Sequence, residues 1–174
     1  MSSHLAAGEP YADAIDWPAD YTPADAAFYL HHEIDIAASP EVVWSVIVEA
    51  ASWPDWYSGA SDVSVENSPT GTLDAEAVFH WRTMGLNFAS EIDTFEPYTR
   101  LSWESRKRVI RGYHAWLLVP TETGCRLVTD EAQHGFLAVM QRWFLPNRLS
   151  NFHAEWLAAI KTRAEQRMQA HAAP

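Results

Sequence analysis

The stretch from residue 61 to residue 134 constrains the fold most, because it predicts a run of short strands at regular spacing. Six apolar-patterned segments alternate there with turn signals, among them residues 67–71 and the sequence Thr121 to Gly124. A further strand is predicted at residues 28–37, where apolar and polar side chains alternate. Together these segments favour an antiparallel meander.

Helices are predicted on both sides of that run. The first begins after Ser39, carries an apolar stripe that includes Trp44 and Ile47, and ends near Pro54. Residues 136–145 predict a short helix that Pro146 interrupts, and a long helix follows to about residue 168. This order of elements predicts an α+β domain over residues 28–170. Residues 1–27 predict an extended or partly disordered arm, which lies against the domain or against a second subunit.

The charge and the absent motifs narrow the classes of function. The 174-residue chain has a formal net charge of −11, which argues against nucleic-acid binding and against anionic membrane surfaces. No signal peptide or segment of transmembrane length is visible, so no membrane insertion and a cytoplasmic location are expected. One cysteine, no His-Glu-x-x-His spacing and no glycine-rich phosphate loop predict neither a metal nor a cofactor.

Several segments resemble one known superfamily in the same order. Residues 34–44, with Ser39-Pro40 before an apolar-Trp pair, are similar to the opening of the START-like superfamily, also called the polyketide cyclase/dehydrase and lipid-transport (SRPBCC) superfamily. Trp53 to Trp56 resembles the bend into its sheet, residues 79–83 one of its strands, and residues 152–157 the last helix of an uncharacterised bacterial branch. Glu49 departs mildly from the Asp that the superfamily often has there.

This resemblance implies a helix-grip fold, in which a curved antiparallel sheet wraps around a long C-terminal helix. It also implies an internal cavity for a small hydrophobic or aromatic molecule. The superfamily includes lipid carriers, aromatase/cyclases, hormone receptors and co-chaperones, so the fold does not settle the activity. A carrier, a cyclase/dehydrase-like enzyme and a protein-interaction module all stay open, as does a homodimer.

Three polar side chains are candidates for chemistry in such a cavity. His153 lies in the middle of the apolar face of the last helix, so it is expected to face the sheet. Glu131 shares a strand face with Leu127, and a carboxylate there would need a partner. In a cyclase/dehydrase reaction His153 would transfer the proton and Glu131 would orient it or act as the partner acid. A core histidine, or a carboxylate paired with Arg82 or Arg111, is the structural alternative.

One strand leaves its orientation open. Both faces of residues 111–119 are apolar, so either Tyr113 or His114 faces the cavity, and His114 is a third catalytic candidate. Nine Trp residues are unusual in one small domain, so lining of the cavity and packing of the core are interpretations of equal weight for its aromatic residues. The predicted ligand-binding residues are Phe79, Trp81, Phe88, Trp103, Tyr113, Trp116 and Trp156.

Overall fold

The computed structural model describes Tyr11 and residues 14–172, and it has the predicted α+β architecture. A seven-stranded antiparallel sheet has the order β1-β7-β6-β5-β4-β3-β2, so every neighbour except the β1–β7 pair is consecutive in sequence. The strands are β1 Phe28–Ile36, β2 Ser61–Val65, β3 Val78–Thr83, β4 Leu86–Glu96, β5 Arg100–Lys107, β6 Ile110–Thr121 and β7 Gly124–His134. The prediction of a meander is therefore confirmed.

Within the described residues three α-helices accompany the sheet: α1 Pro40–Val48, α2 Phe136–Phe144 and α3 Arg148–Ala172. The long helix α3 packs against β1 and α1, which places it across the curved sheet as in the predicted helix-grip fold. Ile160 and Ala164 on its inner side are fully buried, as the apolar stripe predicts. None of the helices described for residues 14–172 is long and apolar enough to cross a bilayer.

The inner face of the sheet carries the main core. On β7 the alternating residues Cys125, Leu127 and Thr129 are all fully buried, and the register sets Leu127 opposite Leu118 of β6. Because side chains alternate across a strand, Glu131 lies on this same inner face, directly opposite His114. The pairing of β6 with β7 therefore decides which polar groups meet inside the domain.

The outer face of the same two strands is covered by the segment before β1. Tyr21 is buried there against Tyr113 and Ala115, with Ile15 and Trp17 packed beside them. The described part of the predicted arm, from residue 14, thus forms turns and 3₁₀ helices on its own domain. Residues 1–10, 12 and 13 of the predicted arm lie outside the described residues.

Candidate functional site

A cavity lies between the inner face of the sheet and the helical layer, and it holds all three candidate catalytic side chains. Its walls come from the strands β3 to β7, from Gln141 of α2, and from the first turns of α3. The cavity is partly open to solvent at its mouth. Most of the wall is apolar or aromatic, and His114, Glu131 and His153 form a polar group on it.

Glu131 lies at the centre of this polar group and contacts its other members. The Nε2 atom of His153 lies 2.6 Å from Oε2 of Glu131, and the Gln133 amide donates to Oε1, also over 2.6 Å. Helix α3 supplies His153, which is 3% exposed, while both other residues come from the inner face of β7. The carboxylate therefore has a partner on each oxygen, and neither Arg82 nor Arg111 is among these partners.

His114 of β6 completes the group and is held from two sides. Its Nε2 atom lies 2.7 Å from the Thr129 hydroxyl, and its Nδ1 atom lies 3.6 Å from Oε2 of Glu131. Its ring stacks on the His153 ring, with centroids 4.9 Å apart and planes within 9°. The His114 ring also stacks on Trp116, with centroids 4.8 Å apart. The inward orientation of His114 resolves the choice that the sequence leaves open.

Burial and mutual contact set the ionisation of this group. Removal from water lowers the pKa of His114 to about 3; the charge of Glu131 acts to raise this pKa, and His153 acts to lower it further. For Glu131 burial acts to raise the pKa, but the hydrogen bond and charge of His153, with His114 and Gln133, bring it to about 2. At neutral pH the site thus contains an ionised carboxylate beside an uncharged His114 imidazole.

The same three residues are a set of metal-ligating atoms that sequence spacing does not predict. One ligand atom of each lies within 4.8 Å of the others, and two imidazoles with a carboxylate suit a transition metal. The rings of His114 and His153, however, are stacked with nearly parallel planes, so their in-plane lone pairs do not converge on one point. Joint coordination would require the rings to turn out of this stack, whereas the observed hydrogen bonds suit proton transfer.

The predicted aromatic lining divides into three sets. Trp81, Phe88, Trp103 and Trp156 line the cavity. Phe79 and Trp116 are fully buried behind that wall in a cluster of aromatic rings, so they support the cavity without lining it. Tyr113 requires a correction, because the alternation of β6 turns it to the outer face and against Tyr21.

Some cavity residues were missed by reasoning from the sequence. Gln133 follows Glu131 by two positions, so the period of the strand would have placed it on the same face. Tyr57 stacks on Trp156 at 4.8 Å and donates to the backbone carbonyl of Phe152. It follows an irregular Trp-Pro-Asp-Trp segment, where no periodicity signals which way a side chain turns.

Comparison with known proteins agrees with this architecture. The family model for polyketide cyclase/dehydrase and lipid transport matches residues 28–172, and the chain belongs to this family. No curated protein matches the chain.

Three solved structures illustrate the shared fold. A hypothetical protein from Helicobacter pylori is 22% identical with a TM-score of 0.80, covering 86% of this chain and 95% of that one. The Zhui aromatase/cyclase from Streptomyces sp. R1128 is 14% identical with a TM-score of 0.72, covering 84% and 99%. A norcoclaurine synthase point mutant from Thalictrum flavum is 15% identical with a TM-score of 0.60, covering 81% and 96%. At these identities the likeness shows the helix-grip fold.

Proposed function

We propose that this protein binds a small hydrophobic or aromatic molecule in its cavity and performs acid–base chemistry on it with His153 and Glu131. The observation that carries the proposal is the buried 2.6 Å contact between His153 and Glu131 on the wall of an otherwise largely apolar cavity. Buried charged groups are costly, and they concentrate at sites where their chemistry is used. An aromatase/cyclase and a norcoclaurine synthase of the same fold are consistent with such chemistry.

The hydrogen bonds define which nitrogen acts. An ionised carboxylate only accepts, so the Nε2 atom of His153 carries the proton that it donates to Glu131. In the neutral ring the lone pair is then on Nδ1, which is buried and has no partner among the described residues. A bound molecule would have to displace the side chains that cover this Nδ1 atom in order to give it a proton, and the adjacent Glu131 would stabilise the imidazolium that forms. Glu131 is thus a positioning residue in the proposed reaction.

A base in an apolar cavity can be tested without knowledge of the natural substrate. The probe is 5-nitrobenzisoxazole, whose ring C–H proton is removed by a base while its N–O bond breaks to give a coloured phenolate. We expect the wild-type protein to accelerate this reaction over buffer, and His153→Ala to lower the rate at least about tenfold, since positioned bases contribute roughly 10²–10⁴-fold. Glu131→Gln should lower the rate as well and change its pH profile.

The chain offers a matched control for these variants. His80 and Glu66 form another histidine–carboxylate contact of 2.7 Å, but both side chains are half exposed on the outside of the sheet. His80→Ala should therefore keep the wild-type rate. Equal rates for wild type and His153→Ala would refute the acid–base role.

The binding half of the proposal needs a separate measurement. A Cβ at Gly112 would point into the cavity, where its nearest neighbour is Oε1 of Glu131 at 3.4 Å, so Gly112→Val takes up cavity space. We expect 1-naphthol to quench the tryptophan fluorescence of the wild type and to bind Gly112→Val more weakly. Ser64→Val, at an exposed strand position, is the control. Unchanged affinity in Gly112→Val would contradict binding in this cavity.

A further inference from the structure

Helix α2 presents an apolar face to solvent. Phe136, Val139 and Trp143 follow the i, i+3, i+7 spacing of one helix face, and they are 71%, 41% and 78% exposed. Phe144, the last residue of α2, and Leu145, which follows the helix, are 71% and 47% exposed. Isolated exposed apolar residues are common in soluble proteins, but five large ones within ten positions indicate an interaction surface.

Basic side chains accompany this face in a chain that is strongly acidic overall. Residues 105–121 and 132–154 contain no Asp or Glu, although the chain has 23 acidic and only 12 basic residues. Lys107 and Arg108 border a surface depression together with Phe136, at the point where the β5–β6 turn meets the start of α2. Arg142 lies on α2 itself, and Arg148 begins α3. We call the five apolar residues and these four basic residues the α2 surface.

We propose that the α2 surface docks the protein peripherally onto an anionic lipid bilayer. A nine-residue helix cannot span a membrane, but an exposed Trp/Phe face beside arginines is the pattern of a helix that lies in the headgroup region. The net charge of −11 argued against anionic surfaces when it was read from composition alone. The two acid-free runs around α2 are basic instead, although Asp20 and Asp25 of the segment before β1 are close enough to influence His134, which borders the same depression. Screening limits repulsion from more distant acidic residues to about one Debye length, roughly 8–10 Å.

The position of the α2 surface relates it to the cavity. Gln141 of α2, Leu149 of α3 and Ile110 at the start of β6 all line the cavity. A bilayer that contacts α2 would therefore lie close to the space where an apolar molecule is bound. This proposal is independent of the acid–base chemistry, because none of its residues belongs to the polar group of the cavity.

Vesicle sedimentation of the full chain tests the proposal. The vesicles contain either phosphatidylcholine alone or a mixture with about one third phosphatidylglycerol. We expect binding to the anionic vesicles, weaker binding in 0.5 M NaCl, and little binding to phosphatidylcholine alone. The double variant Trp143→Ser/Phe144→Ser removes two exposed rings without opening the core, and it should bind at least about tenfold more weakly. Arg108→Glu/Arg142→Glu should abolish the preference for anionic lipid.

A control variant lies at the other end of the sheet. Tyr98 is 47% exposed in the turn before β5, whereas Lys107 is the last residue of that strand and Arg108 follows it. Tyr98→Ser should bind vesicles as the wild type does. Absence of binding by the wild type, or equal binding by the Trp143/Phe144 variant, would overturn the proposal. A dimer that this variant dissociates, without vesicle binding, would also overturn it and would assign the surface to a second copy of the chain.

Discussion

Acid should destabilise this protein through His114, and the magnitude can be worked out from its burial. The side chain is 5% exposed, and removal from water lowers its pKa to about 3. An unfolded chain restores the ordinary histidine pKa of about 6.5. Between these two values the unfolded chain binds a proton that the native state does not bind, so the free energy of unfolding falls as the pH falls. At pH 5 the loss is about 2 kcal/mol, from roughly 1.5 pH units at about 1.36 kcal/mol each.

The assay is urea unfolding followed by tryptophan fluorescence at pH 7 and pH 5. The wild type should lose about 2 kcal/mol or somewhat more, since burial also lowers the pKa of His32 and His134. His114→Gln should remove most of this difference between the two pH values, whatever its own stability at pH 7. His80→Gln, at an exposed position, should retain the wild-type difference. If His114→Gln kept the full difference, the burial argument would be wrong.

The remaining predictions concern stability and use the same unfolding assay. Trp53→Ala should lower the free energy of unfolding by about 3–5 kcal/mol, because the ring is fully buried among other aromatic rings. Gly124→Ala should cost more than about 1 kcal/mol, since φ is +156° and a Cβ would lie 2.1 Å from the Ile36 carbonyl oxygen; Gly85→Ala, with open space around its Cβ, should cost less. Tyr113→Phe should cost about 1–3 kcal/mol through the loss of two 2.6 Å contacts, to a carboxylate and a serine hydroxyl.

The fold was predictable because its signals are local and repeated. Period-two patterning defines each strand, and the 3.6-residue pattern over α3 is long enough to indicate its buried face. The face of β6 was not predictable, because both Tyr113 and His114 are buried. The outer side is covered by Trp17 and Tyr21, from a segment with no periodicity of its own. When a distant segment of the chain buries the outer face of a strand, the sequence of that strand does not reveal it.

The sequence predicts which side chains of the candidate site face the interior, but it does not predict the distances between them. Alternation places Glu131 on the inner side of β7, and helical spacing turns His153 towards the sheet. Their 2.6 Å contact depends on where α3 crosses the sheet, and the 3.6 Å approach of His114 depends on the register of β6 with β7. Neither quantity is encoded in residue spacing. The exposure of α2 was not predictable either. Its apolar spacing predicts a helix, but it does not show that Phe136 and Trp143 stay exposed to solvent.

The aromatic core limits what the proposed site can hold. Trp53 contacts the rings of Trp81, Trp103 and Trp156 at centroid distances of 5.1–6.0 Å, which fills the space behind the cavity wall. Because such interiors are close-packed, a bound molecule cannot reach deeper than this wall. A molecule bound as proposed would therefore lie between the tryptophans and the mouth, on the wall that includes His153. Such a wall would also hold the molecule against the proposed base, which is the arrangement that the proposed proton transfer requires.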